Sequence, residues 1–174
     1  MRAPEHVARQ ERFQRESHLN NVQIVGTGSS FLKQGIRGAE TVIEEMMLNA
    51  KKEIQLVAYV LTPQAIHVVK LLEQAADRGV RITMVVNNLE AQPPEIRRRL
   101  AELQDGHAGV RLVNFSPDRG QLHAKVVIAD RSKALIGSAN FTWSGLVSNY
   151  ELGVLIDGEL CWKIASLIDS LVIQ

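Results

Sequence analysis

Four polar side chains set into an otherwise apolar stretch constrain this chain more than any other feature. Residues 123–130 read His-Ala-Lys-Val-Val-Ile-Ala-Asp, and residues 137–140 read Gly-Ser-Ala-Asn. Segments 123–130 and 133–139 are rich in β-branched and apolar residues, and only Arg131-Ser132 separates them. That spacing predicts a hairpin with a two-residue turn, although no Asn-Gly or glycine marks it. In that register residue 130 faces 133, 125 faces 138 and 123 faces 140. Side chains alternate between the two faces of a strand, so His123, Lys125, Ser138 and Asn140 are expected to form one square. Polar groups in such a place cost folding free energy unless they are satisfied or used. A cation, a nitrogen base and two neutral hydrogen-bonding groups suit a phosphodiester anion. Asp130 has the opposite parity and is expected to be a structural acceptor near the turn.

The rest of the composition places this motif in one ordinary domain. The chain has 174 residues, 45% of them apolar, and a formal net charge of +1. Near-neutrality removes any global signature of nucleic-acid binding, so a basic footprint has to be local. Cys161 is the only cysteine, which excludes an internal disulfide, and its apolar neighbours suggest a core position. No Cys/His cluster has zinc-ligand spacing, and no metal or cofactor is expected. The other histidines, at 6, 18, 67 and 107, are scattered and read as surface or structural groups. No segment approaches the apolar length of a transmembrane helix, and the charged N-terminus lacks the apolar stretch of a signal peptide. A cytoplasmic location is the expectation.

Along the chain, residues 1–20 read as a polar N-terminal arm with Val7 and Phe13 as its anchors, and residues 21–174 as the catalytic domain. Strands are expected at 22–28, 53–61, 80–87, 110–115 and 150–157, in addition to the hairpin. Helices are expected at 39–51, 63–78, 93–104 and 159–173. Alternating strands and helices indicate a layered α/β fold. Gly26-Thr27-Gly28 is not followed by Gly-Lys-Ser/Thr, so it reads as a tight turn and not as a P-loop. Arg97-Arg98-Arg99, beside Glu95 and Glu102, reads as a solvated helix face, with phosphate contact along a nucleic acid as the functional alternative.

The pattern H-x-K-x4-D followed by G-S-x-N resembles the signature of the phospholipase D superfamily. The resemblance is strict over residues 123–151. It implies a mixed central β-sheet flanked by helices and a metal-independent phosphodiesterase. It also implies a mechanism in which one histidine attacks phosphorus to give a phosphohistidine, while a second protonates the leaving oxygen and then activates water. His123 is the matching nucleophile. Lys125 and Asn140 would hold the non-bridging oxygens, and Ser138 could add a hydrogen bond. An acidic residue in the region of Glu151, 28 residues after His123, would orient a histidine of its own subunit or the partner's. Superfamily enzymes need two such motifs and this chain has one, so the resemblance implies a homodimer with one shared site.

A nuclease acting on DNA or RNA is the expected function. The rivals are a phospholipase or phosphatidyl transferase, and a non-catalytic nucleic-acid-binding subunit of a larger, for example defence, assembly. Phe141 and Trp143 follow Asn140; base stacking, core packing and the dimer seam all remain open for them.

Overall fold

The computed structural model describes residues 20–172. The expected arm therefore lies outside the described residues, apart from Asn20 at the start of the first strand. Eight strands form one mixed sheet: β1 (Asn20–Thr27), β2 (Arg37–Gly38), β3 (Glu53–Ala58), β4 (Arg81–Asn87), β5 (Val110–Phe115), β6 (Val126–Ala129), β7 (Lys133–Gly137) and β8 (Glu151–Gly158). Their order is β2-β1-β8-β7-β6-β3-β4-β5. β3, β4 and β5 are parallel, whereas β6, β7 and β8 join β3 to β1 through antiparallel ladders.

Strand periodicity divides the core in two. Leu56 and Ala58 of β3 face a large cluster containing Val42, Ile43, Met46 and Met47 of α2 (Ala39–Asn49). The same cluster takes Val68, Val69 and Leu72 of α3 (Ile66–Asp77) and Ile96, Leu100 and Leu103 of α4 (Pro94–Gly106). Val57, one residue along β3, faces the other side with Val85, Val126, Ile128 and Ile156. There a single helix, α5 (Leu160–Val172), supplies Cys161, Ala165 and Ile168. Cys161 is fully buried, as its neighbours suggest. Pro63 opens a short 3-10 turn that runs into α3, and Pro94 opens α4, both at positions where a missing N–H costs nothing.

The sequence reading needs three corrections here. A short helix α1 (Ser29–Lys33) and the two-residue β2 follow β1, a region with too few apolar residues to announce them. The hairpin is one register off: Ala129 faces Lys133 and Val126 faces Ile136. Asp130, Arg131 and Ser132 thus form a three-residue loop, with Asp130 and Arg131 at φ +53° and +54° and Ser132 N–H donating to the Ala129 carbonyl. The strand also begins at Val126, after His123 and Lys125. The Arg97–Arg99 run pairs with Glu90 and Glu102, as a solvated face does. His67 pairs with Glu40 and His107 with Asp77.

Candidate active site

The candidate residues gather where β1, β3 and β4 end and where β6 and β8 begin. Ligands in open α/β sheets favour the carboxyl ends of parallel strands. β7 and β8 approach closely beneath the site. A Cβ on Gly153 would lie 2.9 Å from the Ile136 carbonyl oxygen, and one on Gly137 would lie 3.1 Å from that of Leu152. A side chain at Gly153 would force the backbone apart, and one at Gly137 would need β8 to give by a few tenths of an ångström.

The His123 and Lys125 side chains meet even though neither lies in a strand. Lys125 Nζ is 2.9 Å from His123 Nδ1 and donates to the His123 carbonyl oxygen at 2.7 Å. Lys125 is only 6% exposed, whereas His123 is exposed. Burial pushes the Lys125 ammonium below the ordinary lysine value, and the negative charge of Glu151 opposes that shift. The same Nζ lies 3.3 Å from His123 Nε2, so the ammonium stands against the imidazole within reach of both ring nitrogens.

The one-residue register shift breaks the expected square. Lys125 faces Gly137, whose N–H donates to the Lys125 carbonyl at 3.2 Å. Ser138 turns to β8, where its hydroxyl donates to the Glu151 carboxylate and accepts from the Leu152 N–H at 3.2 Å. Asn149 Nδ2 donates to the other Glu151 oxygen at 3.1 Å. Lys125 and Glu151 line one pocket together with Val25, Leu135, Phe141 and Leu152. Asn140 lies beyond β7, and its Oδ1 is buried without a hydrogen-bond partner. Its backbone is set by Gly145, where a Cβ would approach the Asn140 carbonyl oxygen to 2.4 Å.

Asp130 sits at the far end of β6. It accepts the backbone N–H groups of Lys51, Lys52 and Glu53, at 2.9, 2.7 and 3.0 Å, where β3 starts. Phe141 is buried at 2% exposure, while Trp143 is 55% exposed. Among the described residues no group of three or more His, Cys, Asp or Glu side chains is arranged to hold a metal ion, and no helix is long and apolar enough to cross a membrane.

The family model for "Cardiolipin synthase, PLD-like domain" matches residues 43–172. The chain belongs to the phospholipase D superfamily. Over 87% of its length it superposes on 91% of the phospholipase D family member Nuc from Salmonella typhimurium, with a TM-score of 0.68 and 25% identity. It is 25% identical over 157 residues to the DISARM protein DrmC of Bacillus paralicheniformis, covering 90% of this chain and 65% of DrmC. It is 34% identical over 99 residues to a 5'-3' exonuclease of Bos taurus, covering 56% of this chain and 20% of that protein. The chain thus spans less than two thirds of the length of either curated relative.

Three residues at this phospholipase D-like site escaped the sequence reading. Tyr59, just after β3, places its ring 4.3 Å from the His123 imidazole, centroid to centroid, and 5.0 Å from Lys125 Nζ. Gln92 Nε2 donates to the Tyr59 carbonyl at 3.0 Å and the Asn87 carbonyl at 2.9 Å, while its Oε1 accepts from the Leu61 N–H at 3.1 Å. Asn87 Oδ1 accepts from the N–H of Leu122, the residue before His123, at 2.9 Å. The available signal was position: Tyr59 and Asn87 end adjacent parallel strands.

Proposed function

We propose that this chain is a metal-independent phosphodiesterase that hydrolyses nucleic acid in the cytosol through a phosphohistidine, at a site shared by two copies. The observation that carries this reading is the His123–Lys125 pair held beside Glu151. Lys125 links the two: its Nζ meets the His123 imidazole at 2.9 Å, and it lines one pocket together with Glu151. An imidazole nitrogen of His123 attacks phosphorus, and the bond from phosphorus to the leaving oxygen breaks. A second histidine gives that oxygen its proton, then takes one from water as the water attacks phosphorus and the P–N bond breaks. Lys125 Nζ and the Asn140 amide hold the non-bridging oxygens.

Attack through Nε2 requires the ring proton to sit on Nδ1. Lys125 must therefore leave Nδ1 for the phosphate, and a carboxylate must take the Nδ1 proton as hydrogen-bond acceptor. Glu151, of the same or the second copy, is that acceptor. The second histidine is assigned to a second copy, since among the described residues the other two histidines, His67 and His107, are engaged elsewhere by Glu40 and Asp77. Pairing is supported by an apolar sheet face that α5 leaves open. Val22 and Ile24 of β1 lie beside Leu152 and Val154 of β8, all exposed, and the patch starts next to Glu151.

Nucleic acid as substrate is supported by the likeness to the 5'-3' exonuclease. A lipid diester is the second reading, favoured by the apolar lining of the pocket at Lys125. The deciding assay incubates purified protein in excess EDTA with labelled single- and double-stranded DNA, RNA, and phosphatidylcholine vesicles. Cleavage of a nucleic acid in EDTA is expected. Headgroup release from the vesicles alone would transfer the reading to lipid, and activity restored only by Mg²⁺ or Mn²⁺ would overturn the histidine mechanism.

A further inference from the structure

We propose that Tyr59 is a positioning residue that holds the His123 imidazole and the Lys125 ammonium in register for attack. The kinetic part of this inference rests on the phosphodiesterase reading; the placement part does not. His123 is exposed, and its ring meets the side chains of Lys125 and Tyr59. The Tyr59 ring is inclined 53° to the imidazole at 4.3 Å, which restricts how far the exposed ring can turn. The same ring lies under the Lys125 ammonium at 5.0 Å.

The chemistry of this contact explains why an aromatic ring serves there. Lys125 is nearly buried and needs a counterpart for its charge. A carboxylate in that place would bind the ammonium and compete with an incoming phosphate. The negative face of an aromatic ring stabilises a cation without consuming its hydrogen-bond donors. The ammonium then stays charged and remains available to the substrate.

Tyr59 is itself fixed, and by the same group of atoms that fixes His123. Buried Gln92 clamps the carbonyl of Tyr59 and the N–H of Leu61 to the carbonyl of Asn87. The Asn87 side chain in turn holds the N–H of Leu122. Both partners of the Tyr59–His123 contact are thus tied to the end of β4. Gln92 spends both amide hydrogens and its oxygen on this brace, so it has no freedom to swing.

The test compares Tyr59→Phe, Tyr59→Leu and, as a second ring-free variant, Tyr59→Met with the wild type. Turnover is followed on methyl p-nitrophenyl phosphate, a small diester that has no base to stack. Tyr59→Phe should keep kcat within about 2-fold. Removing the ring should lower kcat about 10- to 100-fold with KM nearly unchanged, as misplacement of a reacting group does. In parallel, the His123 ring protons, assigned by their loss in His123→Asn, are read by NMR. The Tyr59 ring current should displace them in wild type and Tyr59→Phe, and the displacement should vanish in Tyr59→Leu and Tyr59→Met. Unmoved imidazole signals would overturn the placement. An unchanged kcat, or a rise confined to KM, would overturn the positioning role. If the wild type cleaves no diester, the phosphodiesterase reading falls, and the NMR result alone decides whether Tyr59 holds His123.

Discussion

Lys125 Nζ stands 2.9 Å from Nδ1 and 3.3 Å from Nε2 of His123, so the ammonium lies against the imidazole that resembles the superfamily's nucleophile. A substrate phosphate that draws the ammonium away leaves Nδ1 free to carry the ring proton.

Replacing His123 by Asn should abolish turnover, a loss on the order of 10⁴-fold or more for a missing nucleophile. The side chain is exposed, so the melting temperature should stay within a few degrees of wild type. Residual turnover above a few per cent in a folded His123→Asn protein would contradict the assignment.

The lowered Lys125 value predicts an alkaline limit. Activity that needs the ammonium should fall as pH rises through a value below the ordinary 10.5. Stability moves the other way. The folded protein releases this proton more readily than the unfolded chain, so Lys125 adds stability as pH rises from its folded value to 10.5. A kcat profile paired with denaturant midpoints checks both signs, and Lys125→Met should remove both. An alkaline limb at or above 10.5 would contradict the burial argument.

Asp130 calls for the opposite pattern. Burial alone raises its value, but the backbone donors of Glu53, Lys51 and Lys52 prevail and hold the carboxyl below the ordinary 3.8. Its contribution to stability is therefore full above 3.8 and lost as pH falls through the folded value. Asp130→Asn should cost about 1–3 kcal/mol in urea denaturation. Turnover per folded molecule should stay within about 3-fold, because the side chain sits at the far end of β6. A stable but inactive Asp130→Asn would place this residue in the chemistry.

Glu151→Gln should slow turnover on the order of 100-fold, as loss of a proton-handling partner does. Affinity for uncleaved substrate should be retained, because Ser138 and Asn149 still find an oxygen or amide at that position. Equal kcat in mutant and wild type would leave Glu151 as a strand-edge residue.

The legible and illegible parts of this molecule differ in range. Glu53–Ala58, Arg81–Asn87 and Val110–Phe115 stand out because apolar runs between Gly and Pro are local signals. The His123–Lys125 pair was readable because a two-residue spacing in extended chain puts both side chains on one side, in a strand or just before it. The hairpin register was not readable. Asp130 and Arg131 adopt positive φ without being glycine, and what holds them comes from afar. Asp130 caps residues 51–53, while Arg131 pairs with Glu53 and Asp169 and lies over the Trp162 ring. The Gln92 brace is hidden for the same reason. Its partners, Tyr59, Leu61 and Asn87, converge only once β3 and β4 are paired.

The proposed shared site requires one motif per chain to work only in pairs, and mixing tests that requirement most directly. Wild type and His123→Asn are unfolded together in equal amounts and refolded once, at concentrations where the protein sediments as a dimer. Random pairing makes about a quarter of the dimers fully wild type. If each site needs a histidine from both copies, activity should fall to about a quarter of that of an equal total amount of wild type. Activity near a half would show that each copy works alone, and would contradict the shared site.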